Sequence, residues 1–224
     1  MKLFSIVASL ALALLLSGCA KTNSGADKQD YSAFRESKPR SILVLMPKND
    51  SPDVSAGYGF ISEVTFPLAE AGYYVFPVAV VEETFKHNGV THANDINSVS
   101  LAKLHSIFGA DAVLYLTVTD YGTSYQVIDS ETRVAAKARL VDVRSGKELW
   151  TGSASASSNE KKGYNNNNSL LGTLIAAAVN QISDTVFDKA HDVAAITSTR
   201  LLAAGTGSGM LYGPRSPEYA KQGL

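Results

Sequence analysis

The residues with the clearest chemistry are Leu16-Ser17-Gly18-Cys19, and Cys19 is the one cysteine of the chain. A thiol directly after two small residues, with leucine at −3, has the spacing of a lipobox. In that chemistry the sulfur takes a diacylglycerol, the bond between Gly18 and Cys19 is cut, and the new amino group takes a further acyl chain such as palmitate. Each methylene buried in a bilayer contributes ~0.8 kcal/mol, and two or more chains hold a protein stably on a membrane. The preceding stretch fits. Lys2 is a positive n-region, and Leu3 to Leu16 is a mostly apolar h-region, too short for a membrane-spanning helix and of the length used by secretory leaders. The alternative is an ordinary leader followed by a stray cysteine, although a lone free thiol is uncommon in an exported protein. Ala20 comes next. Aspartate at that place retains lipoproteins at the inner membrane under the best-known sorting rule, so Ala20 points to the outer membrane, with the body in the periplasm.

Little else in the chain has the spacing of a reaction centre. The four histidines, His87, His92, His105 and His191, are scattered, and the sequence has no HExxH, no GxSxG elbow and no P-loop. Glu82 and Glu83 are adjacent, which on a helix points them about 100° apart and suits a solvated helix start. We therefore expect no catalytic residue, metal site or cofactor, and a protein that is not an enzyme. One surface stands out. Arg133, Lys137 and Arg139 share a face of a predicted strand, and Trp150 lies on the strand that follows. This is either a solvated sheet face or a surface that meets an anionic partner.

These residues need a body to carry them. Losing residues 1–18 leaves 206 residues with a formal charge of −2, enough for one domain and a tether and for a sizeable core without disulfides. Such a body offers no electrostatic case for nucleic acid. The charged fraction of 18% is below the ~25% usual in soluble domains, which suits extensive buried or self-associating surface.

The pattern predicts a tether over 19–40, an α/β domain over 41–204 and an irregular tail over 205–224. Ile42-Leu43-Val44-Leu45 reads as a strand buried on both faces. A helix is predicted from Ala56 to Ala71, with a kink or break at Phe66 because of Pro67. A second strand is predicted at Tyr73–Val78, short helices at Val81–Lys86 and before Gly109, and a third strand at Asp111–Thr119. Either Asp95 or Asn97 can cap the helix before Gly109. This βαβ half implies an α/β layer. Three antiparallel strands are then expected at 125–128, 133–143 and 148–157, the last two joined by a tight turn at Arg144-Ser145-Gly146-Lys147. A long helix is predicted from Ser169 to Ala190, and another at 193–204. Gly172, Ala176 and Ala177 make the long helix either a core element or a self-association face, hence a possible homo-oligomer.

The segments FPLAEAGYYVFPVAV (66–80), EETFKHNGV (82–90), KLHSIFGADAVLYLTV (103–118), YGTSYQVI (121–128) and LVDVRSGKELWTG (140–152) resemble, in order, a lipoprotein family of unknown function in Gram-negative bacteria. The resemblance covers most of 41–190. It implies a fold like the periplasmic α/β domain of CsgG, the curli secretion lipoprotein, and the N-terminal domain of TolB, with related folds in lipoprotein activators of peptidoglycan synthases. It also implies CsgG-like lipoprotein partners and no catalytic residue. The tail departs from the family, which is expected to have an aromatic residue and a histidine between its two prolines; here Arg215 and Ser216 stand there. Together these readings predict a non-enzymatic accessory or assembly subunit of a CsgG-like envelope complex. The alternatives are a regulator of a peptidoglycan synthase and a periplasmic small-ligand binder, the last of which requires a deep pocket with convergent polar groups.

Overall fold

The computed structural model describes residues 29–125, 130–162 and 186–222. The end of the stretch expected as a tether packs on the body. Helix α1 (Ser32–Ser37) places Phe34 in the core. It ends at Lys38, which adopts a left-handed conformation with φ 46°. Strand β1 (Ser41–Val44) follows. Asp111 ties its start to the sheet by accepting from the Arg40 and Ser41 amides at 3.0 and 3.1 Å. Pro47 lacks an N–H, and the chain breaks there before resuming as β2 (Lys48–Asn49).

The single helix expected over 56–71 is two: α2 (Ala56–Ile61) and α3 (Thr65–Glu70). Pro67 sits in the first turn of α3, where a missing N–H is tolerated. The break therefore falls about a turn before the expected kink. Strand β3 (Tyr74–Val75) is shorter than predicted because Pro77 already caps α4 (Val78–His87). The next helix is also split, into α5 (Ala93–Ser98) and α6 (Leu101–Phe108). Ser100 caps α6, its hydroxyl accepting from the Lys103 amide. Asn97 instead donates to the Met46 and Ala93 carbonyls at 2.8 and 2.7 Å.

Strand β4 (Ala112–Tyr125) is a continuous run of 14 residues. It passes through an irregularity between Val118 and Asp120 and so absorbs the start of the separate strand expected at 125–128. It pairs with β5 (Ser130–Asp142), and β5 with β6 (Glu148–Ser157). Gly146, at φ +69°, makes the β5–β6 turn. A 3₁₀ turn (Ser158–Lys162) follows. Helix α7 (Val186–Leu202) is unbroken where two helices were expected. Most of the helix predicted from Ser169, with Gly172, Ala176 and Ala177, lies outside the described residues. No helix among the described residues is long and apolar enough to cross a membrane.

The six strands run β3-β1-β4-β5-β6, with β2 beside β4. β1, β2, β3 and β4 are mutually parallel where they pair, and β4-β5-β6 are antiparallel. The result is a mixed α/β sheet with cores on both faces. Ile42, Val44, Leu114, Leu116 and Leu140 point to the face covered by α2, α3 and α7. Leu43, Leu45 and Val113 point to the other face, against Val81, Phe85 and Leu104 of α4 and α6. Among the described residues, helices cover that second face over β1, β2 and the start of β4 only.

The C-terminal segment is irregular apart from a 3₁₀ turn at Tyr219–Gln222, yet it is closely held. The Gly213 amide donates to the Ala71 carbonyl at 2.7 Å and the Arg215 amide to that of Gly72 at 3.1 Å. A Cβ on Gly72, already at φ +94°, would lie 2.4 Å from the Ser216 nitrogen, so only glycine admits this approach. Tyr73 donates to the Leu211 carbonyl at 2.5 Å. Burial pushes its hydroxyl pKa far above the ordinary range.

Candidate functional site

The face of β5 and β6 left bare by α4–α6 carries the three cations singled out above. Strand periodicity puts successive side chains on opposite faces. Val134, Ala136, Ala138 and Leu140 enter the core, so Arg133, Lys137 and Arg139 emerge on the far side. The register sets Arg139 between Tyr115 of β4 and Thr151 of β6, and Lys137 between Thr117 and Ser153.

The three cations are held differently. The Arg139 guanidinium lies 4.9 Å from the centre of the Tyr115 ring, a cation–π arrangement that fixes its plane. Burial raises the Tyr115 hydroxyl pKa, partly offset by Arg139. Arg133 is paired with Asp120 at 3.6 Å. Among the described residues Lys48, Lys137 and Arg139 have no ion-pair partner. These last three, with Asn97, Tyr115 and Thr117, line an open groove of about 200 Å³. Such a groove can seat an anionic group, but it is too open to enclose a small substrate.

Trp150 does not belong to this surface. It is 1% exposed, because its position on β6 faces the core, where its indole N–H donates to the Ser208 carbonyl at 2.8 Å. The aromatic residue the cation face does have is Tyr115. The alternation of Val113, Tyr115 and Thr117 puts it on that face, but only the β4–β5 register puts it under Arg139.

A second polar cluster lies at the β5–β6 turn. Asp142 accepts from Ser37 Oγ at 2.5 Å, from the Ser145 amide at 2.7 Å and from Ser145 Oγ at 2.8 Å. Burial pushes the Asp142 carboxyl up, but these bonds and nearby Arg144 together hold it below the usual carboxylate range. The cluster borders a hollow of about 270 Å³ lined by Glu36, Ser37, Arg144 and Lys147 among others. Every group in it is satisfied by a neighbour, so it reads as a clasp joining α1 to the turn.

The histidines are not brought together. His87 faces Glu83 at 3.1 Å, His191 faces Glu63 at 3.0 Å, and His105 Nδ1 lies 3.1 Å from the Ala110 carbonyl. No group of three or more metal-ligating residues forms among the described residues. Glu82 is occupied by Lys86 at 2.7 Å and Tyr58 at 2.8 Å. Gly18, Cys19 and Ala20 lie outside the described residues.

Comparison with known proteins gives the relationship. A protein of Neisseria meningitidis serogroup B described as "Putative lipoprotein NMB1124/NMB1162" is 54% identical over 214 residues, 95% of this chain and 97% of its own. The crystal structure of lipoprotein GNA1162 from Neisseria meningitidis matches with 61% identity and a TM-score of 0.53, over 66% of this chain and all of that one. The LpoB C-terminal domain from Salmonella enterica gives a TM-score of 0.39 at 18% identity, over 53% of this chain and 83% of that one. The resemblance to CsgG and TolB is not shown by these comparisons. The family model described as "Putative lipoprotein GNA1162-like" matches residues 29–215, and the chain belongs to that family of lipoproteins.

Proposed function

We propose that this lipoprotein is anchored to the outer membrane through acyl chains on Cys19 and that its body serves as a non-enzymatic protein-binding subunit of an envelope assembly. One relationship supports the reading. Tyr31 and Phe34, which follow the lipid site in the chain, pack on the α7 side of the sheet, whereas Lys137 and Arg139 emerge on the opposite side. An anchor that approaches from the first side would turn Lys137 and Arg139 away from the membrane and toward other molecules.

The sequence resemblance names a CsgG-like lipoprotein as the partner, with a peptidoglycan synthase as the alternative. Crosslinking in intact cells, followed by purification of the tagged lipoprotein and mass spectrometry, separates them. An envelope lipoprotein recovered in fixed ratio supports the assembly subunit. A cell-wall synthase selects the regulator. Recovery of this chain alone removes both. The anchor has its own test: Cys19→Ala should abolish incorporation of labelled palmitate and release the protein from membranes, and a variant that stays acylated would overturn it.

A further inference from the structure

We propose that the outer edge of β6 takes an extended acidic segment of a partner protein as an added strand, with Lys137 and Arg139 reading its carboxylates. The proposal rests on the protein-binding reading above and names the surface and the partner's chemistry.

Among the described residues β6 is the last strand of the sheet. On β5, the amides of Thr132 and Asp142 bond toward the β6 side, to Ser158 Oγ and the Lys147 carbonyl. Even-numbered residues of β5 thus direct their backbone at β6. In antiparallel pairing their even-numbered partners on β6 direct theirs back. Thr151, Ser153 and Ser155 therefore turn their N–H and C=O outward. Two bonds agree: the Ser155 carbonyl accepts from Arg200 at 2.9 Å, and the Ser157 amide donates to Glu160 at 3.1 Å. Among the described residues nothing bonds the outward groups of Thr151 and Ser153. The open edge runs from Thr151 to the Ser155 amide, and the Arg200–Glu160 pair closes it beyond.

Edge strands are ordinarily blunted by charge, proline or a bulge. The stretch Thr151-Gly-Ser-Ala-Ser155 has no charged residue and no proline, and Thr151, Ser153 and Ser155 are exposed. The cations lie one strand in, Arg139 directly opposite Thr151 and Lys137 directly opposite Ser153. A residue added beside Ser153 would be two strand spacings, about 9.6 Å, from Lys137. A lysine and a glutamate together span that gap, and the small side chains between do not block it. Charge decides the occupant. A second copy pairing β6 to β6 would bring two cation rows together with no acid between them. An acidic extended segment satisfies both the backbone edge and the cations, a recognition mode in which main-chain bonds supply affinity and alternate side chains supply specificity.

The test uses the full-length lipoprotein in cells, with benzoylphenylalanine replacing Thr151. The expected product is a crosslink to a segment of an envelope protein with Asp or Glu at alternate positions. Its yield should fall at least tenfold in Lys137→Glu/Arg139→Glu, which changes exposed side chains only. It should fall as far in Ser153→Pro, which removes an outward N–H that the sheet does not use. Trp150 fluorescence checks that each variant is folded. A crosslink to another copy of this chain, a segment without acids, or a yield unchanged in the folded charge-reversed variant would overturn the proposal. If affinity purification finds a partner but Thr151 never touches it, the edge is wrong and the protein-binding reading stands. If no partner is found by either route, that reading fails.

Discussion

Ser198 Oγ donates to the Glu63 carbonyl across 2.9 Å, and the bond exists because Pro67 has no N–H to offer. In an uninterrupted helix the residue four places on would bond that carbonyl. The proline cannot, so α7 supplies the donor from a fully buried side chain. Replacing Ser198 by alanine leaves the carbonyl without this partner and should lower unfolding free energy by about 1–3 kcal/mol. Urea denaturation measures the loss; a midpoint equal to the parent's would show that water or a neighbour replaces the hydroxyl.

Trp150 and Gly152 form a second tight pair. A Cβ on Gly152 would lie 2.3 Å from the indole, so Gly152→Ala must displace the ring from under the loop containing Ser208. Overpacking of this kind costs about 1–3 kcal/mol. Trp150 is the only tryptophan, so a red shift of its emission reports the displacement directly. An unshifted spectrum with parental stability would mean that the site adjusts without moving the ring.

Asp142 makes the clasp at the β5–β6 turn sensitive to acid. Its folded carboxyl titrates below the usual range, so the unfolded chain takes up the proton first. The stabilisation is complete above the unfolded value of about 3.9 and is lost as the pH falls through the folded value. Asp142→Asn should therefore destabilise the protein at neutral pH and flatten the stability profile below about pH 4. A profile parallel to the parent's would assign the acid sensitivity to other carboxylates.

Lys38 closes α1 in the left-handed region at φ 46°, where a side chain costs roughly 1–2 kcal/mol. Lys38→Gly should recover part of that cost, offset by the larger entropy of glycine in the unfolded chain. Thermal melting should rise by a few degrees; a lower melting temperature would mean that the Lys38 side chain contributes more than its backbone costs.

Ala20→Asp tests the sorting rule separately from acylation. The variant should still take palmitate but sediment with inner-membrane markers on a sucrose gradient. A variant that stays with the outer membrane would show that residue 20 does not set location in this protein.

Residue order alone determined what rests on short-range pattern. The lipobox reading rests on four adjacent residues, the strands announce themselves by apolar runs and alternation, and the β5–β6 hairpin by a turn with glycine at positive φ. The face bearing Arg133, Lys137 and Arg139 also follows from alternation, since period two admits no other side. Boundaries were less legible. Pro67 and Pro77 moved helix ends by a turn because a missing N–H is tolerated in a first turn and can start a helix as well as end one. β4 runs on through its irregularity because β5 pairs with it throughout, a partner that no local window contains.

Tertiary structure decided the rest. Trp150 looks like an exposed aromatic anchor on its hairpin, and only the packing of the C-terminal segment over it makes it core. Tyr115 becomes part of the cation surface through register with Arg139, a contact between residues 24 apart in the chain. The open edge of β6 depends on which strand comes last in the sheet. Local sequence sets the direction of a side chain; long-range packing sets what, if anything, covers it.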